Sequence, residues 1–574
     1  MESELPHVMF SDFVGGSPLA YQGGSQGKRR IIMTTALPYA NGDIHIGHLY
    51  EHFITDFWVR YQKMCGNFCL SICADDTHGT PIMVAAQKQN ITPEELIAAV
   101  SASHKQDFAA FDVEFDNYSS THSETNKQLC EYVYSILEEL DYLETKTVQQ
   151  SYCQRCAMFL PDRYVRGDCP QCGAVEQYGD QCESCSSTYN SADLKNGKCV
   201  LCGERAITKE SSHLFFILPA FEDWLRGWID YCVADDVGKK LEEWLDAGLK
   251  EWCISRDAPY FGFEIPDQPH KYFYVWLDAP LGYLAATKEW CERNDHDFKR
   301  LWNDKQTEIH CNIGKDIVYF HALFLPAMLE AVGFNPPSQL CVHGMLTANG
   351  EKLSKSRGTF IKAKTYLKHL QPEWLRYYFA TKINGNSNDV DFSFADFKAR
   401  VNSDLIGKIT NLASRSAQML HKHFAGKLGT LDEDGLAMLE KTRIRGGGVA
   451  GCYEERDFAR AMLIIRAMIS DANAYFNSMK PWESVKSAPD DAHCVLTNAL
   501  NIFRLASIYL KPIIPRYCAK VEQLFNEQPY RWSSAESQLE EHQLNTFVPL
   551  ATRIEDQALT AMQEQTIAEQ RAHV

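Results

Sequence analysis

The sequence predicts an α/β protein: a doubly wound parallel sheet, interrupted by a metal-binding insertion and followed by an all-α helical bundle. Three observations predict it. The chain opens on a strand–helix–strand pattern. Four C-x-x-C pairs fall within one 50-residue stretch. From about residue 396 onward, apolar residues recur almost throughout at helical spacing.

The opening elements follow from local chemistry. Residues 30–36 form a short apolar run, read as a buried strand. The loop Pro38-Tyr39-Ala40-Asn41-Gly42-Asp43 comes next. A helix is expected from Ile46 to Met64, with Leu49, Phe53, Phe57 and Tyr61 on one face and Gly66 as its stop. Residues 67–74 read as a second strand, ending in Asp75-Asp76. Thr92–Glu95 and Thr121–Glu124 read as capped helix starts, the first with Pro93 just inside. The α/β pattern resumes near residue 257 and runs to about 347.

Composition narrows the function classes. Of 574 residues, 45% are hydrophobic and 23% charged, which excludes a disordered or fibrous chain. No apolar run reaches the ~18–20 residues of a membrane span, and no signal segment opens the chain. A cytoplasmic protein without membrane contact is expected. With 57 basic against 75 acidic residues the net charge is −18, so nucleic acid would be met by a local basic face. Residues 397–427 offer one: Lys398, Arg400, Lys408, Arg415, Lys422 and Lys427 stand against Asp404 alone.

The cysteine pairs are Cys153/Cys156, Cys169/Cys172, Cys182/Cys185 and Cys199/Cys202. A two-residue gap lets both thiolates of a pair reach one tetrahedral ion, and two pairs close a site. Eight ligands therefore make two structural zinc sites. Spacing alone does not say which pair joins which.

Two short stretches carry chemistry. His45-Ile46-Gly47-His48 sits where the first helix begins, with both rings on one face of the first turn. Their N–H groups, with the free amides of the helix start, suit anionic oxygens such as the phosphates of ATP. Gly47 leaves room for a flat base. Lys352-Leu353-Ser354-Lys355-Ser356-Arg357-Gly358 packs three cations and a glycine into seven residues after a predicted strand. Such a loop can close on a triphosphate and neutralise charge on a leaving pyrophosphate.

Together, His-Ile-Gly-His and Lys-Leu-Ser-Lys-Ser resemble the two signatures of class I aminoacyl-tRNA synthetases. The stretches Ala36–Gly42, Cys73–Pro81, Tyr274–Pro280 and Gly314–His321 are similar to the methionyl-tRNA synthetase family, over residues 30 to about 550. The resemblance implies a Rossmann-like sheet and a two-step reaction. L-Methionine and ATP form methionyl-adenylate and pyrophosphate, and the methionyl group then passes to the terminal adenosine of initiator and elongator tRNA(Met). It implies catalytic roles for His45, His48, Lys352, Lys355 and Arg256, with Tyr39 and Gly47 joining them at ATP and Mg²⁺ accompanying the nucleotide.

Trp276, Ala279, Pro280 and Tyr283 fall at i, i+3, i+4 and i+7, and Ile317, Phe320, His321 and Phe324 repeat that spacing. Each set reads as one helix face. With the resemblance, they become walls of a methionine pocket, completed by Leu37, Tyr39 and Asp76, whose charge suits the ammonium. Leu325 departs from the family, which carries Trp there. The resemblance also implies nested zinc sites, Cys169/Cys172/Cys182/Cys185 inside and Cys153/Cys156/Cys199/Cys202 outside, with sequential pairing as the alternative. It places Asn411, Arg415, Pro481 and Trp482 at the anticodon.

A leucine, isoleucine or valine enzyme would need a large editing insertion. A small nucleotidyltransferase would lack the knuckles and the helical region. A binding protein that had lost activity would not need His45, His48, Lys352 and Lys355. The expected organisation is a tail (1–28), two catalytic halves (29–142 and 256–347) around a connective region to about 255 that holds the knuckles (143–211), the cationic loop and link (348–395), a helical anticodon-binding region (396–552) and a last helix (553–574). No further dimerisation domain is expected, hence a monomer.

Overall fold

The computed structural model describes residues 28–571 except 162, 163, 180, 181, 183, 186, 188, 190, 349 and 354–359, with 351 and 352 described by backbone alone. The first elements are β1 (Arg30–Thr35), α1 (Ile46–Met64), β2 (Phe68–Asp75), α2 (Thr80–Gln89), α3 (Pro93–Ala110), β3 (Asn117–Ser120) and α4 (Glu124–Glu139). Thr92 caps α3 in a reciprocal box with Glu95, as the sequence predicts. The cap of α4 is Ser123, which accepts from the Asn126 amide, and not Thr121. Thr121 is instead drawn inward, where its hydroxyl accepts from the Thr77 amide.

The strands Thr307–Gly314 and Gln339–His343 complete a five-stranded sheet in the order Gln339–His343, Thr307–Gly314, β1, β2, β3. All four pairings are parallel. The order reverses between β1 and Thr307–Gly314, and such a reversal opens a ligand crevice at the carboxyl ends of the strands. Leu49, Phe53, Phe57 and Tyr61 of α1 are at most 1% exposed and cover one sheet face. That core continues into Tyr453, Phe458 and Phe503 of the helical region.

Buried Arg376 joins the two regions. All five of its N–H groups are used, on Asp56 (2.6 Å) and on the carbonyls of Phe111, Asp112, Pro512 and Ile513. A buried charge is tolerated when it is paired and every donor is satisfied.

The insertion rises from an antiparallel ribbon of Leu143–Cys153 against Ile207–Phe216. After the sheet, Leu346–Ala348 and Glu351–Lys352 form a hairpin joined by Val390–Phe392. The helical region contains Asn411–Phe424, Glu433–Glu454, Phe458–Met479, Pro489–Leu510 and Pro515–Phe525. The helical pattern predicted to continue is broken after Phe525: apart from one 3₁₀ turn at Trp532–Glu536, residues 526–555 are irregular. A last helix, Asp556–Arg571, returns to the cationic loop's exit, where Gln570 donates to the Phe360 carbonyl. No helix among the described residues is long and apolar enough to cross a membrane.

Candidate active site

The two signature stretches meet at the start of α1. His45 is the N-cap. Its Nδ1 accepts from the Gly47 amide (3.0 Å), and the His48 Nδ1 accepts from the His45 amide (3.3 Å). The rings stack with centroids 3.8 Å apart. A ring nitrogen that accepts carries no proton, so both rings are Nε2–H tautomers. Burial, with His45 beside it, holds His48 well below the ordinary histidine value.

This corrects one expectation. The amides of the helix start are not free for an anion: those of His45 and Gly47 bind the rings, and that of Ile46 binds the Ile361 carbonyl (3.0 Å). The Nε2–H groups, not the amides, are left as the imidazole donors. Gly47 has a structural reason as well, since a Cβ there would lie 2.9 Å from His45 Cε1.

The cationic loop is tied down at both described ends. Lys352 pairs through its backbone with Thr347. Leu353 reaches the start of α1, 3.4 Å from where a Gly47 Cβ would be. Beyond the loop, the Phe360 ring lies 4.3 Å from that of His45. His45 bridges Lys362, and the Ala363 amide donates to the Ile44 carbonyl. Lys355 lies outside the described residues.

Asp76 follows β2. Its backbone holds the loop after β1: the Asp76 amide donates to the Pro38 carbonyl and the Ala40 amide to the Asp76 carbonyl. Tyr39 O–H donates to the His78 carbonyl (3.0 Å). Buried Asp76 Oδ1 has no partner among the described residues. Burial, reinforced by Asp278 and Asp75, pushes the Asp76 carboxyl well above the usual range. An ammonium would relieve that penalty.

Trp276, Ala279, Pro280 and Tyr283 do lie on one helix, Val275–Arg293. Trp276 is 42% exposed at its start, and Tyr283 is buried. Leu37 packs where that helix has Gly282, 3.3 Å from a notional Cβ. Ile317–Phe324 is not the α-helical face expected. A 3₁₀ turn, Lys315–Ile317, leads into a π-helix, Phe320–Phe324, before the α-helix Leu325–Ala331. Pro326 is the reason: it lacks an N–H and its ring crowds the carbonyl four residues back, so the turn widens.

His321 still faces Tyr283. Its Nε2 accepts from Tyr283 O–H (3.1 Å) and its Nδ1–H donates to the Ile317 carbonyl (3.1 Å). Burial pushes its pKa down to about 4. Phe324 and Leu325 are buried, and Phe324 packs on Trp252 and Phe320.

Two residues escaped the sequence reading. Trp252 stacks among Trp276 (5.0 Å), Tyr319, Phe320 and Phe324. It comes from a two-residue strand, too short to show a period. Asp278 is fully buried and bonds His78 Nδ1, while His78 Nε2 lies in hydrogen-bond contact with His122 Nδ1 (2.8 Å). His122 also lines an open cavity of about 840 Å³, apart from the signature cleft. Arg256 makes no ion pair among the described residues. Its guanidinium lies 3.4 Å from the Tyr274 ring centre and donates to the Ser255 carbonyl.

The cysteines form two tetrads, Cys153/Cys156/Cys199/Cys202 and Cys169/Cys172/Cys182/Cys185, which is the nested arrangement. Zinc–sulfur bonds of ~2.3 Å in a tetrahedron imply sulfurs about 3.8 Å apart. The Sγ pairs here lie 3.4, 3.9, 3.8 and 3.6 Å apart, so the donor set fits such an ion. Gly173 and Gly203 close their knuckles at φ +74, where a side chain would be strained.

In the helical region, Arg415 lies over Phe476 (4.8 Å) and Trp482 (5.2 Å). Asn411 is exposed one turn before it. Pro481 is buried and begins the short turn that leaves Trp482 40% exposed. The basic face is weaker than its sequence promised. Lys398, Arg400, Lys408 and Lys427 each pair with a carboxylate: Asp556, Asp396, Asp404 and Glu541. Three of those partners lie outside the stretch counted.

Comparison with known proteins finds relatives over most of the chain. Residues 31–417 match the family described as tRNA synthetases class I (M), and residues 425–569 match the anticodon binding domain of methionyl tRNA ligase. A methionine–tRNA ligase of Bdellovibrio bacteriovorus is 48% identical over 539 residues, covering 94% of this chain and 78% of that protein. The fold resembles Mycobacterium tuberculosis methionyl-tRNA synthetase in complex with methionyl-adenylate, with TM-score 0.76, 22% identity, 91% of this chain and all of that one. The apo form of the same enzyme matches at TM-score 0.70, 21% identity and 93% of this chain.

Proposed function

The chain belongs to the class I methionyl-tRNA synthetase family, a methionine–tRNA ligase, and from that premise we propose how its residues divide the work. The carrying observation is the meeting of His45 and Phe360, which brings the phosphate-binding helix start and the exit of the cationic loop to one crevice.

His45 and His48 donate from Nε2 to the phosphates of ATP, and Tyr39 and Gly47 border the nucleotide. Lys352 and Lys355 neutralise charge growing on the leaving pyrophosphate. The thioether of methionine lies among Leu37, Trp276, Ala279, Pro280, Tyr283, Ile317, Phe320 and His321, a polarisable chain in an aromatic slot. Asp76 takes the ammonium. Arg256, a cation without a carboxylate partner among the described residues, takes the carboxylate and α-phosphate.

A methionine carboxylate oxygen attacks the α-phosphorus, and pyrophosphate leaves. A ribose hydroxyl of the tRNA end then attacks the activated carbonyl, and AMP leaves. Positioning and charge stabilisation are the protein's share. Mg²⁺, bound with ATP, would supply further neutralisation of the phosphates. The two cysteine tetrads hold zinc as closed, structural sites. Asn411, Arg415, Pro481 and Trp482 meet the anticodon of initiator and elongator tRNA(Met), by stacking and hydrogen bonds to unpaired bases. The protein works as a cytoplasmic monomer.

The test is ATP–pyrophosphate exchange with each of the twenty amino acids, followed by charging of tRNA(Met). Exchange with methionine alone supports the reading. Exchange driven by another amino acid and not by methionine overturns it.

A further inference from the structure

His104, on α3, belongs to neither signature stretch and has been given no role above. It is almost wholly buried. Its Nδ1 lies 2.6 Å from Asp75 Oδ1, and its Nε2 lies 2.7 Å from the carbonyl oxygen of Gly42. A carbonyl only accepts, so Nε2 carries a proton. Nδ1 faces a carboxylate oxygen that already accepts from Tyr118 O–H (2.5 Å). A ring that donates from both nitrogens is an imidazolium.

The two acceptors belong to two adjoining backbone units, the end of β2 and the loop after β1. Asp75 is the last residue of β2, next to Asp76 on the methionine side. Gly42 is in the loop that carries Tyr39 and leads to His45 on the ATP side. The same loop has a second tie: Asp43 pairs with Lys362 (2.8 Å) and Lys364 (3.3 Å) just beyond the cationic loop. Lys364 in turn donates to Ser103, the neighbour of His104 (2.6 Å).

We infer that His104 is a positioning residue for amino-acid activation: as an imidazolium between Asp75 and the Gly42 carbonyl, it holds the ATP-side loop against the methionine-side strand end. This rests on the activation chemistry proposed above.

The clamp depends on pH. Burial opposes the charge on His104, but the bond and charge of Asp75 outweigh it and raise the pKa, and the Gly42 carbonyl and Asp107 add to the effect. His48 and His52 of α1 face it electrostatically, and Lys364 lies by Asp107 on the same helix. A histidine raised on folding is fully charged below its ordinary value, and the clamp is lost as pH rises through the raised one. A neutral ring keeps only one N–H, so one of its two partners, the Asp75 carboxylate or the Gly42 carbonyl, then faces a lone pair and the bridge is broken.

The experiment is methionine-dependent ATP–pyrophosphate exchange from about pH 6 to 9 with saturating methionine, on wild type, His104→Gln and Tyr118→Phe. In the wild type, KM for ATP should climb on the alkaline side. His104→Gln can keep one N–H for Gly42 but no charge. Its KM for ATP should be raised about tenfold at the acid end, a small misplacement of the loop, and should not climb with pH. Tyr118→Phe removes a donor from Asp75, concentrates its charge on His104, and should move the alkaline limb to higher pH.

Tyr118→Phe decides the matter if His104→Gln folds poorly, because a merely structural role would leave the limb where it was. An unmoved limb in Tyr118→Phe, or a wild-type limb retained in a folded His104→Gln, overturns the inference. Absence of methionine-dependent exchange in the wild type would overturn the parent reading instead.

Discussion

The ring of Phe360 lies 4.3 Å from that of His45, which itself caps α1 and stacks on His48. The cap, the stack and the loop contact therefore share one imidazole, and whatever displaces that ring disturbs all three.

Gly47→Ala should show this. Alanine is the better helix former by about 1 kcal/mol. The lost His45 cap costs about as much, so the melting temperature should barely move. The new Cβ, 2.9 Å from His45 Cε1, must push the ring off its place. Exchange should fall about 100-fold, the price of a displaced catalytic group. Unchanged exchange in a folded variant would show that the ring position is not critical.

The pair Tyr283–His321 gives a pH prediction. His321 is held at about 4 by burial, below the ordinary 6.5, so it is neutral at pH 7 and accepts from Tyr283. Stability from a depressed group is present above the unfolded value and lost as pH falls through the folded one. Methionine affinity measured by calorimetry should hold from neutrality down to about pH 5 and weaken as pH falls through about 4, where His321 gains a proton and turns from acceptor to donor. Tyr283→Phe should cost about 1–3 kcal/mol of stability, the usual effect of a buried acceptor left unpaired. It should also move the affinity loss to higher pH. An affinity that stays flat well below pH 4, in a protein still folded, contradicts the assignment.

Metal content follows from the tetrads. Elemental analysis should find two zinc ions per chain. Cys153→Ser/Cys199→Ser alters one tetrad only, so one ion should remain. Loss of both ions from this variant, with Cys169→Ser/Cys182→Ser also losing both, would contradict independent closed sites.

Arg415 over Trp482 makes a small cationic and aromatic surface in the helical region. Trp482→Ala should cost about 1–3 kcal/mol in tRNA charging, the worth of one stacked base. Exchange needs no tRNA and should be unchanged. If Trp482 only packs its helix turn, the melting temperature falls and both reactions decline together.

Elements whose cause is local were legible in the sequence. The buried face of α1 and the Thr92–Glu95 cap depend on residues within a few positions of one another, and the structure keeps them. The cysteine spacing pointed to sites able to hold metal for the same reason: a pair needs only its two-residue gap.

What tertiary structure decided are relations between groups far apart in the chain. The partners of Lys398 and Lys427 lie more than a hundred residues downstream, so a count along the stretch overstated the basic face. The π-turn at Phe320–Phe324 arises where Pro326 meets a packed core, which periodicity alone does not register. Trp252 joins the aromatic wall from a strand of two residues. His104 reaches Asp75 and Gly42 only because α3 packs across the ends of two strand–loop units. A residue's own type tells what bonds it can make. Burial and the approach of distant backbone decide which of them it makes, and with that its charge.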